Sequence, residues 1–207
     1  AERITEFFQK DPDQGMPATE QTEVRALYDG ENLYFGIQCF DSQAEGIRAT
    51  ELRRDNRFQN DDSFAIILDT FHDHRNAFLF RINPRGTQYD ALVTDEGRDI
   101  NSSWDEIWEV QARIDETGWS AEIRIPLSSI RFSASDGAMV FGADFERIIR
   151  RKNESSYWNN FSRDFNFEQV SQSGHLYGMA DIESALRLRV KPYVGTRILT
   201  RGSDARD

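Results

Sequence analysis

Three histidines, one cysteine and 36 acidic side chains bound the chemistry open to this chain of 207 residues. His72 and His74 stand two apart, but neither a cysteine nor a third histidine lies near them in sequence. Zinc takes three or four N and S donors, so the pair alone makes a poor site, and Asp73 and Arg75 make the segment read as a solvated loop. Hard cations instead need several oxygens. Asp55, Asn56, Asp61 and Asp62 cluster in one place, and Asp95, Glu96 and Asp99 in another. Neither group has the ordered spacing of an EF-hand loop, so calcium held by Asp55 and Asp61 and a plain acidic rim both stay open.

Catalytic signatures are missing. No Gly-x-Ser-x-Gly elbow and no glycine-rich phosphate loop occurs. A glycosidase needs two carboxylates across a cleft, but with so many acids a pair can be drawn anywhere and carries no weight. The expectation is a protein that is not an enzyme. The tryptophans are more informative. Trp158 lies in the polar run Tyr157-Trp158-Asn159-Asn160, where a flat face beside amides suits a sugar, whose C–H face stacks while its hydroxyls need partners. A sandwich also buries tryptophans, so Trp158 is open to both readings. Trp119 alternates with Ala121 and Ile123 and is expected in the core, and Trp104 and Trp108 lean the same way. The cluster Arg147, Arg150, Arg151 and Lys152 is expected to pair with carboxylates rather than to bind an anion.

The net charge of −11 repels nucleic acid and anionic lipid, leaving neutral ligands, cations and basic partners. Cys39 has no partner for a disulfide and shares an alternating face with Leu33, Phe35 and Ile37, which predicts a core thiol. No apolar run approaches the ~20 residues of a membrane helix.

These residues must be positioned by strands, because alternation with period two recurs throughout. Thr22–Tyr28 and Leu33–Phe40 flank an Asp29-Gly30 turn, and Ser63–Asp69 is apolar enough for a central strand covered on both faces. Ala77–Ile82 and Thr87–Val93 flank Asn83-Pro84-Arg85-Gly86, and Trp108–Ile114 and Trp119–Ile125 flank Asp115–Gly118. Val140–Ile149 and Leu176–Ile182 complete about ten strands, with one short helical turn at Leu127–Ile130. The pattern predicts an all-β, antiparallel two-sheet β-sandwich of immunoglobulin-like or jelly-roll style. It spans residues 1–185. Residues 186–207, where Leu186, Leu188 and Val190 alternate with basic residues, read as a linker and the start of a C-terminal β-barrel, or as an edge strand.

The order of motifs resembles the family 9 carbohydrate-binding-module-like domain, in the version found at the front of large bacterial outer-membrane proteins of unknown function. The matching runs are Phe7–Pro12, Gly15–Ala18, Thr22–Asp29, Leu33–Gly36, Asp61-Asp62-Ser63, Leu68–Phe71, Phe80–Gly86, Trp104–Trp108, Gly118–Pro126, Arg147–Glu154 with Trp158, and Pro192-Tyr193. The resemblance implies a β-sandwich followed by a barrel from about Pro192-Tyr193, in a bacterial cell envelope. It also implies a sugar held between two aromatics, here Phe58 and Trp158, with Asp62, Asn159 and Asn160 as hydrogen-bond partners. In the sugar-binding members an Asp-Ser-x-Glu stretch supplies a carboxylate, and here it reads Asp62-Ser63-Phe64-Ala65. The implied function is non-catalytic binding of a poly- or oligosaccharide. The alternative is a structural or protein-interaction cap of a barrel, with sugar binding lost.

Overall fold

A computed structural model, which describes residues 3–132 and 139–179, resolves the chain into two antiparallel sheets packed face to face. The first sheet has the order β1-β3-β4-β10-β9. Its strands are β1 (Arg3–Ile4), β3 (Thr22–Tyr28), β4 (Asn32–Phe40), β9 (Glu109–Asp115) and β10 (Gly118–Pro126). The second runs β2 (Phe8–Asp11), β12 (Glu154–Tyr157), β11 (Met139–Ile149), β5 (Ser63–Asp69), β6 (Ala77–Ile82), β7 (Gln88–Thr94) and β8 (Asp99–Asn101). An eighth strand of that sheet, β13 (Gly174–Met179), pairs with the opening half of β11.

Alternation sets the register. On β4, Leu33, Phe35, Ile37 and Cys39 oppose Ile125, Ile123, Ala121 and Trp119 of β10, and all eight are buried. A slip of one residue would turn this whole set to solvent, so the pairing is strongly specified. Opposite them β5 contributes Phe64, Ile66 and Leu68, and β11 contributes Phe141, Ala143 and Phe145. Phe145 stacks on Phe64 at 6.1 Å and meets Phe35 edge-on at 5.9 Å, so aromatics bridge the sheets.

The outer face of the eight-stranded sheet is covered as well. Ala65 and Ile67 of β5, with Leu79, Ala91 and Val93, lie under Phe58, Tyr157, Phe167 and Val170. Every residue of β5 is therefore buried, as its unbroken apolar run predicts.

The three anticipated turns are present. Asp29 Oδ1 accepts the Glu31 and Asn32 N–H groups, and Gly86 N–H returns to the Asn83 carbonyl at 2.9 Å. At the third, Gly118 has φ +138°, and a Cβ there would stand 2.1 Å from the Cys39 carbonyl oxygen, so glycine is required twice over. Leu127–Ile130 forms a hydrogen-bonded turn, Ser129 N–H to Pro126 O at 2.8 Å, rather than a helix. The strands β1, β2, β8 and β12 are two to four residues long, too short for period two to register in sequence. The expected linker and barrel start at 186–207 lie outside the described residues.

Cys39 is fully buried, and burial pushes its thiol up to about 11. In the native protein it is expected to resist a thiol reagent at pH 8 and to react at once in denaturant. Fast native labelling would show that this part of the core opens readily.

Candidate functional site

The five expected sugar contacts do not converge. Phe58 is buried under the outer-face cluster with Ala65 and Ile67, whereas Trp158 packs on the inner cluster, its ring 5.5 Å from that of Phe145. These two aromatics thus pack into the clusters on opposite faces of the eight-stranded sheet and are not brought together. The Asp62 carboxylate is 2 % exposed and accepts the Arg150 N–H at 2.8 Å, with burial raising its pKa. Asn159 spends its side-chain amide on the Gln172 carbonyl and its backbone N–H on Asp144. Asn160 is exposed beside Gly15. Trp158 keeps partial exposure, but Gly174 presses against its six-membered ring so closely that a Cβ there would come within 2.8 Å.

The carboxylates singled out for calcium are placed just as specifically. Asp61 takes the Thr50 N–H and hydroxyl on one oxygen, and the Glu51 N–H and Asn83 amide on the other, all at 2.7–2.9 Å. Four donors fill the four acceptor positions of a carboxylate, and those bonds hold its pKa down against burial. Asp61 thus pins the 50–51 segment to the turn after β6. Asp55 is exposed, with φ +65° and Arg54 Nε at 3.7 Å. Among the described residues, no three His, Cys, Asp or Glu side chains stand gathered for a metal ion. The second acidic group joins ion pairs, Asp95 to Arg75 at 2.7 Å and to Arg98 at 3.1 Å, while Glu96 accepts from Ser171.

The basic cluster is structural, as its sequence setting suggests. Arg147 donates to the Gln21 and Phe40 carbonyls, Arg150 to those of Phe58 and Asp61, and Arg151 pairs with Glu20 and Asp41. Lys152 joins Glu20 at 2.6 Å. Bonds from Lys152, Ser42 and Arg151 outweigh burial and bring the Glu20 carboxyl down to about 2.

A cleft of about 880 Å³ opens elsewhere, along the segment from β8 to β9. It is lined by Arg54, Asn101 and the run from Ser103 to Trp108. Trp108 is the buried root of this segment, its indole N–H donated to Asp90 Oδ1 at 3.2 Å. Asp90 is wholly buried, and it also receives the Glu106 N–H at 2.9 Å and Arg54 Nη2 at 2.7 Å. Burial raises the Asp90 pKa, against the pull of these donors. The same Arg54 nitrogen reaches Asp105 at 2.8 Å and the Glu106 carbonyl at 2.9 Å. Arg54 therefore clips the loop onto β7 and orients the exposed Asp105 carboxylate at the cleft rim.

Trp104 is half-buried, resting on Phe78 at 5.0 Å and edge-on to Phe80 at 6.0 Å. Its remaining surface faces a cleft rimmed by an amide, a hydroxyl and a carboxylate. The sequence reading of Trp104 as leaning structural agrees with its packing on the core, and the run Asn101-Ser102-Ser103-Trp104-Asp105 is as polar as the run at Trp158. Nothing in a sequence says which of two aromatic loops finds a buried partner and which lines a cleft.

Comparison with known proteins gives a consistent picture. The profile of the family described as "Carbohydrate family 9 binding domain-like" matches residues 4–178. No curated protein matches this chain significantly. Among solved structures, a candidate carbohydrate-binding protein from Bacteroides uniformis superposes with a TM-score of 0.70 at 12% identity, over 85% of each chain. A family 9 carbohydrate-binding module from Caldicellulosiruptor kristjanssonii superposes with a TM-score of 0.54 at 16% identity. Its complex with glucose covers 83% of this chain and 82% of that one, and its complex with cellotriose 84% and 80%.

Proposed function

This chain belongs to the carbohydrate family 9 binding domain-like family, and from that premise we propose that it is a non-catalytic module that binds an oligo- or polysaccharide. The cleft at Trp104 is the place we assign to the ligand. The observation that carries this is the half-exposed Trp104 lining that cleft beside an Asp105 carboxylate held in place by Arg54. An indole face supports the apolar side of a pyranose, while Asn101, Ser103 and Asp105 offer the mixed donors and acceptors that hydroxyls require. A charged acceptor fixed in advance costs less to order on binding than a mobile one. Relatives of this fold bound to glucose and cellotriose make glucose-containing glycans the first class to try.

We further place the module in a bacterial cell envelope, ahead of an outer-membrane β-barrel. The support is the ordered series of motifs that resembles the front domain of such proteins, Pro192-Tyr193 included. The net charge of −11 suits a domain that does not engage anionic lipid directly.

A glycan-array and polysaccharide-retention screen tests the binding reading, with Trp104→Ala and Trp158→Ala alongside the native chain. Trp104→Ala is expected to weaken binding by at least ~10-fold, in line with loss of a central aromatic contact. Trp158→Ala is expected to bind normally if it stays folded. Loss through Trp158 alone would move the site to the Asn159–Asn160 surface. Silence across the whole screen would favour a protein-interaction cap, for which the missing carboxylate at Ala65 and the exposed Ile107 on the same cleft already speak.

A further inference from the structure

All three histidines of this chain meet at one end of the eight-stranded sheet. His72 and His74 stand in the turn after β5, and His175 stands on β13, a hundred residues later. Ring centroids lie 4.6 Å apart for His72 and His74, 5.0 Å for His72 and His175, and 6.4 Å for His74 and His175.

Strand pairing produces this meeting. Gly142 on β11 pairs with Asp69 of β5 on one side and with His175 of β13 on the other, so the three make one row across the sheet. Directly paired residues face the same side, and the middle one has no side chain. A Cβ at Gly142 would stand 3.0 Å from that of Asp69, which shows how closely the row packs at its centre. The Asp69 side chain thus lies over the glycine, and the turn it holds stands beside His175.

The turn itself is held from below. Asp69 is fully buried and accepts the His74 N–H at 2.8 Å and the Asp73 N–H at 3.2 Å. Asp73 accepts the N–H groups of Arg75 and Asn76, both at 2.8 Å. His72 and His74 both have left-handed backbone, with φ of +51° and +57°, an uncommon state for any residue but glycine. Arg75 turns its guanidinium to Asp95 at 2.7 Å. Two imidazoles thus stand side by side on a braced turn, facing a third.

We propose that His72, His74 and His175 form a binding site for a divalent transition metal of the zinc class, with a fourth position open to water or to a ligand. With Zn–N bonds of about 2.0–2.1 Å, each ring centre lies about 3.2 Å from the metal, and two imidazoles at the tetrahedral angle are about 5.2 Å apart. The three observed separations bracket that value. As the side chains stand, their donors are not yet gathered around one point. The His74–His175 pair has to close by about 1 Å, which a χ rotation of the exposed His74 ring toward the partly exposed His175 achieves. Imidazole suits zinc, nickel and copper, whereas calcium asks for oxygens, so the site is separate in kind from the carboxylates near β5. The negative field of the chain concentrates any cation near it.

The test uses the 207-residue protein stripped of metal by a chelator. Calorimetric titration with Zn2+ is expected to give one site per chain, and Co2+ to show the visible absorption of a tetrahedral complex. His175→Ala should weaken Zn2+ binding at least ~10-fold while leaving the circular dichroism of the metal-free protein unchanged. His74→Asn, chosen because asparagine accepts left-handed backbone, reads the same loss from the other side of the site and serves if His175→Ala fails to fold. Absence of Zn2+ binding, binding that both variants retain in full, or Zn2+ that excess Ca2+ displaces would overturn the assignment.

Discussion

Replacing Arg147 with alanine is expected to destabilise the domain by about 3–5 kcal/mol, the usual cost of stripping one member from a buried charged network. Arg147 is 1 % exposed and sits on β11 opposite Phe64, so its side chain enters the space between the sheets. There it donates Nη1 to the Gln21 carbonyl at 2.9 Å and the Thr22 hydroxyl at 3.1 Å, and Nη2 to the Phe40 carbonyl at 2.6 Å. All three acceptors belong to the edge where β3 begins and β4 ends. One guanidinium therefore stitches the eight-stranded sheet to the five-stranded one. Its charge also favours the ionised form of Asp62, which burial opposes.

Alanine would leave the Phe40 carbonyl without this donor, Asp62 without its nearby cation, and a cavity in the core. Gln21 would suffer less, because its carbonyl also accepts the Phe40 N–H. Lysine at 147 keeps the charge but offers a point donor in place of a planar fork, so Arg147→Lys should recover only part of the loss. Urea denaturation of the three proteins decides the matter. A cost below about 1 kcal/mol for Arg147→Ala would mean that the sheets are held by apolar packing alone, and that the buried fork contributes little net stability.

The sequence made this tie only half visible. Four clustered basic residues predict pairing with carboxylates, which Arg151 and Lys152 make, whereas Arg147 and Arg150 donate to carbonyls. Partners as distant as Gln21 and Phe40 follow from the stacking of sheets and not from any local pattern. The same distinction runs through the molecule. Alternation places Leu33, Phe35, Ile37, Cys39 and Trp119 in the core because period two is a local property of a strand. Loop residues lack such a rule. The family resemblance makes Phe58 and Trp158 the two halves of a clamp, yet they pack into clusters on opposite faces of the sheet. His72 and His74 look like a pair without a third, because His175 joins them only through the pairing of β13 with β11 and β11 with β5. Fold class is carried by short-range periodicity, whereas a site assembled from loops and distant strands is carried by topology.

Asp144 supplies the second large effect, and its sign is opposite to that of an ordinary carboxylate. It faces outward from β11 beside Ile67 and is nonetheless buried, under the 157–172 segment. Burial lifts its pKa to about 8 and the nearby Glu146 adds to the lift, while N–H groups from Phe145 at 2.7 Å and Asn159 at 3.1 Å pull against it. The folded state therefore keeps a proton on Asp144 that the unfolded chain releases near its ordinary value of 3.8. Where the native state binds more protons, stability falls as pH rises. The contribution is complete below about pH 4 and is lost progressively as pH rises through about 8, above which both states are ionised. Asparagine keeps the carbonyl oxygen that accepts both N–H groups and cannot ionise. The stability of Asp144→Asn relative to the native chain is thus expected to climb by about 3–5 kcal/mol between pH 4 and pH 8, since each unit of displacement is worth about 1.4 kcal/mol. Taking the difference between the two proteins at each pH removes the opposing titration of Glu20, whose lowered pKa makes stability fall toward acid instead. Urea midpoints at four pH values across this window measure it. A difference that stays flat with pH would show that Asp144 is ionised in the fold, and that water or a rearranged Asn159 reaches it.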